Sequence, residues 1–266
     1  MRPFLTLVLF LALFAQSSTA THSDALVLEV KGHWILDHKP VAQGMGLTYG
    51  QTVRLESGAP AGRIVIWYPN GERHSCPDKD RPVCLDITVD RPVRKSTRVW
   101  ERVFAVLEDA FNSDSRSVPG LTKSSSIPDG YAELRGTDLV IHSPGLPPEP
   151  AQRTYQLQFR RFKADNVLES PIQPSYNWRP GSSLTAGRIK PGLYRVNLLD
   201  ADSRPSGDFF LLLVLDSSAA GHTGEDFEAL VTATDAWGPQ EQTTALVARR
   251  MFLWQSAKAL GIQEAR

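Results

Sequence analysis

The sequence predicts a mainly β protein with helices: a small N-terminal β domain, a connecting helix, a β-sandwich and a C-terminal helical hairpin. Three observations carry this. Apolar and polar residues alternate with a period of two within residues 21–92 and again within 131–218, as they do in half-buried strands. Around residues 97–111, and again after residue 219, the period lengthens to that of an amphipathic helix. Gly, Pro and Asn punctuate both β stretches at short intervals, where turns are needed.

Residues 1–20 stand apart. Met1-Arg2-Pro3 gives a positive start, Phe4 to Ala15 an apolar run, and Ser18-Thr19-Ala20 a small-residue exit. This is the layout of a secretory signal peptide with cleavage after Ala20. The apolar run is well short of the roughly 20 residues of a spanning helix, which sets the competing reading, an uncleaved anchor, behind it. No long apolar run follows, so no membrane span is expected after signal cleavage, and the mature chain is expected to be secreted or periplasmic. The 29 basic residues match the 29 acidic ones, which excludes the basic footprint of a nucleic-acid binder. A hydrophobic content of 41% is enough for real cores.

In the domain over 21–92, Leu26, Leu28 and Val30 alternate with Val27, Glu29 and Lys31, predicting a half-buried strand. Gly32 interrupts it and His33 to Leu36 resume. Ile64 to Tyr68 is strongly β-prone and runs into Pro69-Asn70-Gly71, a hairpin turn signal that predicts a return strand through Cys76. Leu85, Ile87 and Val89 then alternate against Asp86, Thr88 and Asp90. Cys76 and Cys84 are the only cysteines, and in an oxidising compartment so close a pair predicts a disulfide. Seven residues separate them, too many for the two-residue spacing of a redox motif. The segment Gly46 to Leu55, with Trp34 and the Arg63 to Ile66 run, resembles FecR-like β domains of bacterial envelope proteins. The resemblance implies a partner-binding or sensory envelope module without catalytic residues.

Residues 93–130 hold the connecting helix and a linker. Trp100, Val103, Phe104, Leu107, Ala110 and Phe111 fall at helical spacing. Arg94, Lys95, Arg98 and Arg102 crowd the helix start, where the macrodipole disfavours positive charge. A solvated face accounts for them, the competing readings being a basic docking surface or contact with acidic residues such as Asp86 or Asp90. Asn112 to Gly130 is rich in Ser, Gly, Pro and Asp and reads as a flexible linker.

Within 131–218, Leu139 to Ile141 is one strand, Tyr155, Leu157 and Phe159 mark a second, and Tyr194, Val196 and Leu198 a third. Phe209 to Leu215 is continuously apolar, as expected of a strand buried on both faces. Ile189-Lys190-Pro191-Gly192-Leu193-Tyr194, leading into Val196 and Leu198, resembles the strand entry of bacterial immunoglobulin-like sandwiches. That resemblance implies an immunoglobulin-like β-sandwich in which Tyr194 bonds back to nearby backbone. It speaks to fold alone. Over 219–266, Thr223 and Asp226 resemble a capping box, and Phe227, Leu230 and Val231 follow at helical spacing. Gly238-Pro239 separates this helix from a second carrying Leu246, Arg249, Phe252, Leu253, Ala257 and Leu260. The hairpin's apolar stripe packs on the sandwich or forms half of a helix-repeat surface.

The search for chemistry returns little. His33, Asp37 and His38 approach a metal cluster, but an odd separation puts the two histidines on opposite faces of a strand. There is no Gly-x-Ser-x-Gly elbow, and Gly44-x-Gly46 leads into a β pattern rather than a phosphate-binding helix. Neither catalytic residues, nor a cofactor, nor a metal is expected. Trp34, Trp67 and Tyr68 offer a sugar platform, although Trp67 reads as core. Tyr176-Asn177-Trp178-Arg179 lies in a proline-rich loop and is the binding candidate, its competing role being to close the sandwich edge. The sequence therefore reads as a non-enzymatic recognition or scaffold protein of the cell envelope, whose partner is another envelope or secreted protein. The alternative is a carbohydrate-binding module with exposed aromatics and a polysaccharide partner, and a third is an enzyme assembled from separated residues.

Overall fold

The computed structural model describes residues 23–59, 61–77, 81–91, 96–112, 125–147, 152–163, 167–237 and 242–262. The signal segment 1–20, His22, Arg94, Lys95, most of the linker and the Gly238-Pro239 turn lie outside the described residues. No helix among the described residues is long and apolar enough to cross a membrane.

The N-terminal strands are β1 (Ala25–Lys31), β2 (Trp34–Leu36), β3 (Lys39–Pro40), β4 (Gly46–Leu47), β5 (Thr52–Leu55), β6 (Arg63–Trp67), β7 (Arg73–Cys76) and β8 (Asp86–Thr88). They form two four-stranded antiparallel sheets, ordered β4-β1-β6-β7 and β3-β2-β5-β8. The β6–β7 hairpin turns where Asn-Gly predicts. Gly71 takes φ 81°, the Glu72 N–H reaches the Asn70 side-chain oxygen at 2.9 Å, and Tyr68 N–H bonds to the Glu72 carbonyl. Val27, Trp34, Val53, Ile64, Ile66 and Ile87 form the core shared by the two sheets. The other face of the first sheet carries Leu26, Leu28, Val65 and Trp67 into a separate core with the helices. For this reason β1 is buried on both faces where its alternation predicts one: a helical layer covers the second.

Among the described residues that layer has three members, α1 (Arg98–Asn112), α2 (Ser217–Asp235) and α3 (Gln242–Ala259), each packed on the other two. In α1, Val103, Phe104, Leu107 and Ala110 are buried as their spacing predicts, and Trp100 is half-buried. The C-terminal pair thus packs on sheet and takes α1 as its third helix. At its centre, α3 touches α1, α2, β1, β14 (Gly192–Leu199) and β15 (Pro205–Asp216), and Arg250 to Trp254 are buried without a break. A one-sided stripe is therefore replaced by a helix covered all round, and Leu260, expected on the stripe, is exposed beyond its end.

Two charge placements also differ from expectation. The cap of α2 is Asp216, whose carboxylate accepts from the Ser218 and Ala219 N–H groups at 3.1 and 2.9 Å, so Thr223 lies inside the helix. An extended residue straight off β15 supplies the cap before Thr223 is reached. Asp226 instead receives Arg102 in a two-pronged pair at 2.6–3.1 Å, with Glu225 alongside at 3.4 Å. The cation at the start of α1 is answered from α2, not from Asp86 or Asp90.

The second β unit comprises β9 (Gly130–Arg135), β10 (Asp138–His142), β11 (Tyr155–Arg161), β12 (Tyr176–Trp178), β13 (Ser183–Thr185), β14 and β15. These strands form one seven-stranded sheet in the order β12-β11-β14-β15-β9-β10-β13, antiparallel except for the β15–β9 pair. Its two edge strands are consecutive in the chain and joined by a tight turn in which Ser182 N–H bonds to the Arg179 carbonyl. The sheet is therefore rolled, and the two packed layers expected here are halves of one sheet around Phe159, Trp178, Val196, Phe210, Leu212 and Val214. Phe209, Leu211, Leu213 and Leu215 point the other way, into the helical core, so β15 is buried on both faces as its apolar run predicts. Tyr131 on β9 lies on the same side, against Gly224 of α2, where a Cβ would come within 2.7 Å of its ring. Tyr194 is buried, and its hydroxyl donates to the Lys190 carbonyl at 2.8 Å.

The N-terminal unit meets the helices through aromatic and ionic contacts. The Trp67 indole is perpendicular to Trp100 at 5.9 Å and to Trp237 at 6.4 Å. Glu29 on β1 accepts from the Thr244 hydroxyl of α3 at 2.9 Å and pairs with Lys31 at 2.6 Å. Burial raises the Glu29 pKa, but the bonds from Lys31 and Thr244 and the Lys31 and Arg63 charges outweigh it, holding the carboxyl below its ordinary value.

Candidate functional site

Among the described residues, strand β7 pairs only with β6 and β8 only with β5, so each ends its sheet. Between these edges lies a cleft of about 500 Å³, with His74 and Ser75 on one wall and Asp86, Thr88 and Asp90 on the other. The Cys76–Cys84 disulfide ties the walls, with 5.5 Å between the Cα atoms. Cys76 is the last residue of β7, and both sulfurs rest 3.1–3.6 Å from the Asp86 carbonyl oxygen. Next to the cleft, Tyr68 is buried with its ring 4.9 Å from that of His74. Burial pushes the Tyr68 hydroxyl up to about 12, so it remains a neutral phenol at physiological pH.

On either side of Cys84 stand Val83, 82% exposed, and Leu85, 66% exposed. They are two of four large apolar side chains exposed among the described residues. The alternation with Ile87 and Val89 predicts Leu85 in the core. It instead stands one residue before the Asp86–Thr88 ladder, outside the layer that buries Ile87 and Val89. Two apolar residues flanking a disulfide cysteine are the available signal, and the strand pattern masks it.

A second cleft, of about 360 Å³, lies between the end of α2, the start of α3 and the segment before β9. Asp129 and Arg250 line it, 4% and 0% exposed. Arg250 Nε donates to Asp129 Oδ2 at 2.7 Å, and the Leu211 N–H to Oδ1 at 2.7 Å. Beside them Arg249 donates to Thr234 at 2.6 Å and to Asp235 at 2.7 Å. These charges are spent on one another, which makes this place a joint between helices and sheet rather than a reactive centre.

The four residues predicted as a binding loop are brought into an edge strand and its turn. Trp178 is 1% exposed and donates its indole N–H to the Ser182 carbonyl at 3.1 Å. Tyr176 is half-buried, edge-on to Phe159 at 5.6 Å, while Asn177 and Arg179 are exposed. A strand sends neighbours to opposite faces, so Trp178 serves the rolled core and closes the edge. Trp34, Trp67 and Tyr68 are buried as well, and none of the six tryptophans is more than half exposed.

No family model and no curated protein matches the chain. A solved structure titled as the Bacteroides ovatus mixed-linkage glucan utilization locus SGBP-B in complex with a mixed-linkage heptasaccharide aligns at 11% identity and a TM-score of 0.14. The alignment covers 70% of this chain and 37% of that one. So loose a superposition carries no argument about shared architecture.

Proposed function

We propose that this is a secreted or periplasmic, non-enzymatic recognition or scaffold protein of the cell envelope that docks another envelope or secreted protein on its disulfide-tied rim. The exposure of Val83 and Leu85 on either side of Cys84 carries the reading. Burying an aliphatic side chain of this size contributes roughly 1.5–3 kcal/mol, and a loop pinned by a covalent bond loses less freedom on docking. The disulfide itself suits an oxidising compartment. The carbohydrate reading needs exposed ring faces, and the tryptophans are committed to cores.

The test is crosslinking and affinity capture by residues 21–266 from extracytoplasmic extract, run beside a Val83→Asp/Leu85→Asp variant. A protein held by the parent and lost by the variant, with circular dichroism unchanged, supports the reading. Recovery of polysaccharide, equally by both, overturns it.

A further inference from the structure

We propose that the face of the seven-stranded sheet turned away from its rolled core binds a phosphate group, free or as a monoester, between Arg160 of β11 and Arg195 of β14. The site lies in the second β unit and does not depend on the disulfide-tied rim. Phe159 and Val196 belong to the rolled core, so their neighbours Arg160 and Arg195 stand on the other face, directly opposite one another in the β11–β14 register. The Cβ atoms of side chains so placed lie about 5 Å apart, and like charges there cost stability. A third guanidinium, that of Arg250 on α3, joins them at Phe209. The ring centroid of Phe209 is 4.0 Å from the Arg195 guanidinium carbon and 5.3 Å from that of Arg250. Asp129 answers Arg250. Among the described residues no carboxylate pairs with Arg160 or Arg195. Burial lowers the Arg195 pKa, and the Arg160 and Arg250 charges lower it further.

The two side chains are held with their outer ends free. Arg160 Nε donates to the Glu169 carbonyl at 3.0 Å, and Arg195 Nε to the Asn197 side-chain oxygen at 3.0 Å. Those bonds anchor each guanidinium, and among the described residues nothing accepts from the Nη nitrogens of either. Asn197 donates its own amide N–H to Gln158 Oε1 at 3.3 Å, which leaves the Gln158 Nε2 donors on the same face as a neutral third contact. Gln158, Arg160 and Arg195 are each half-buried, so the donors are anchored yet open to solvent. A guanidinium grips an oxyanion through a two-pronged fork. One carboxylate fills one fork with its two oxygens and brings a single charge. A phosphate monoester offers three oxygens and a charge of about −1.5 to −2 at neutral pH, which matches two guanidiniums.

The probe is inorganic phosphate, titrated by calorimetry into residues 21–266 at constant ionic strength, beside acetate, glycerol phosphate, and phosphatidylcholine vesicles with or without phosphatidic acid. The parent is expected to bind phosphate and to melt higher in its presence, and Arg160→Gln and Arg195→Gln each to weaken binding at least about tenfold. Arg160→Gln also separates a binding role from a structural one. Because it removes a like-charge pair, it is expected to melt no lower than the parent in phosphate-free buffer, and to gain nothing when phosphate is added. Arg188→Gln, an exposed arginine outside the pair, is expected to bind as the parent does. Glycerol phosphate bound like phosphate, with no gain from vesicles, assigns a soluble source. Retention on phosphatidic acid vesicles, lost in the two variants, assigns a lipid headgroup, and either result supports the site. No binding by the parent, acetate bound as tightly as phosphate, or a response shared by Arg160→Gln and Arg188→Gln would each overturn it.

Discussion

The two β units of this protein end their sheets in opposite ways. In the seven-stranded sheet, edge strands β12 and β13 follow one another through a tight turn, and Trp178 fills the space beneath. In the N-terminal unit, β7 and β8 remain apart, tied at one point by Cys76–Cys84. The first arrangement spends its aromatics inside and leaves no long free edge. The second keeps two edges, a polar cleft and two exposed aliphatic side chains together. A sheet whose edge strands follow one another in the chain is closed by the backbone itself, whereas the two N-terminal sheets are joined at this side by one side-chain bond.

Four variants break or sharpen this contrast. The largest effect belongs to Trp178→Ala, which empties the rolled core and is expected to cost roughly 3–5 kcal/mol in denaturant titrations. A loss under 1 kcal/mol would mean that Trp178 does not hold the seam. Next, Cys76→Ser/Cys84→Ser releases the staple at a cost of about 2–3 kcal/mol, with faster amide exchange confined to β7 and β8. Faster exchange in β12 and β13 instead would erase the distinction between the units.

Glu29→Gln tests the joint between the N-terminal unit and α3, at about 1–2 kcal/mol near neutral pH. Because the folded carboxyl lies below its ordinary value, its contribution is present above the unfolded pKa, roughly 4.3, and is lost as pH falls through the folded one. The variant's stability should therefore vary less with pH in that acid window than the parent's, measured by thermal melts. A steeper dependence would remove Glu29 from the joint. The smallest effect is that of Val83→Asp/Leu85→Asp on folding, within about 0.5 kcal/mol, since both side chains already face water. A larger loss would make the rim part of the core.

What the sequence discloses tracks how local the cause is. The Asn70-Gly71 turn, the helical spacing of α1 and the apolar run of β15 depend on neighbours in the chain, and each lies where it is read. Strand β9 goes unread because its pairing partner, β15, is far along the chain and parallel to it. The start of α2 is misplaced because Asp216 belongs to strand and cap at once, and Thr223 offers a plausible later cap. The second buried face of β1 depends on a helical layer built largely from the other end of the chain. The candidate site fails for a related reason: Trp178 reads as a loop aromatic until the sheet rolls over it, and Leu85 reads as core until the ladder is seen to begin after it.

The meeting of Trp67, Trp100 and Trp237 has an optical consequence. Two indoles stand perpendicular to a third within 6.5 Å, and the three come from β6, from α1 and from just beyond α2. Chromophores this close mix their excited states, so the ellipticity near 290 nm reports the distance between the N-terminal unit and the helices. Any ligand that loosens that contact changes the signal without a label, while the backbone signal of both β units stays as it was.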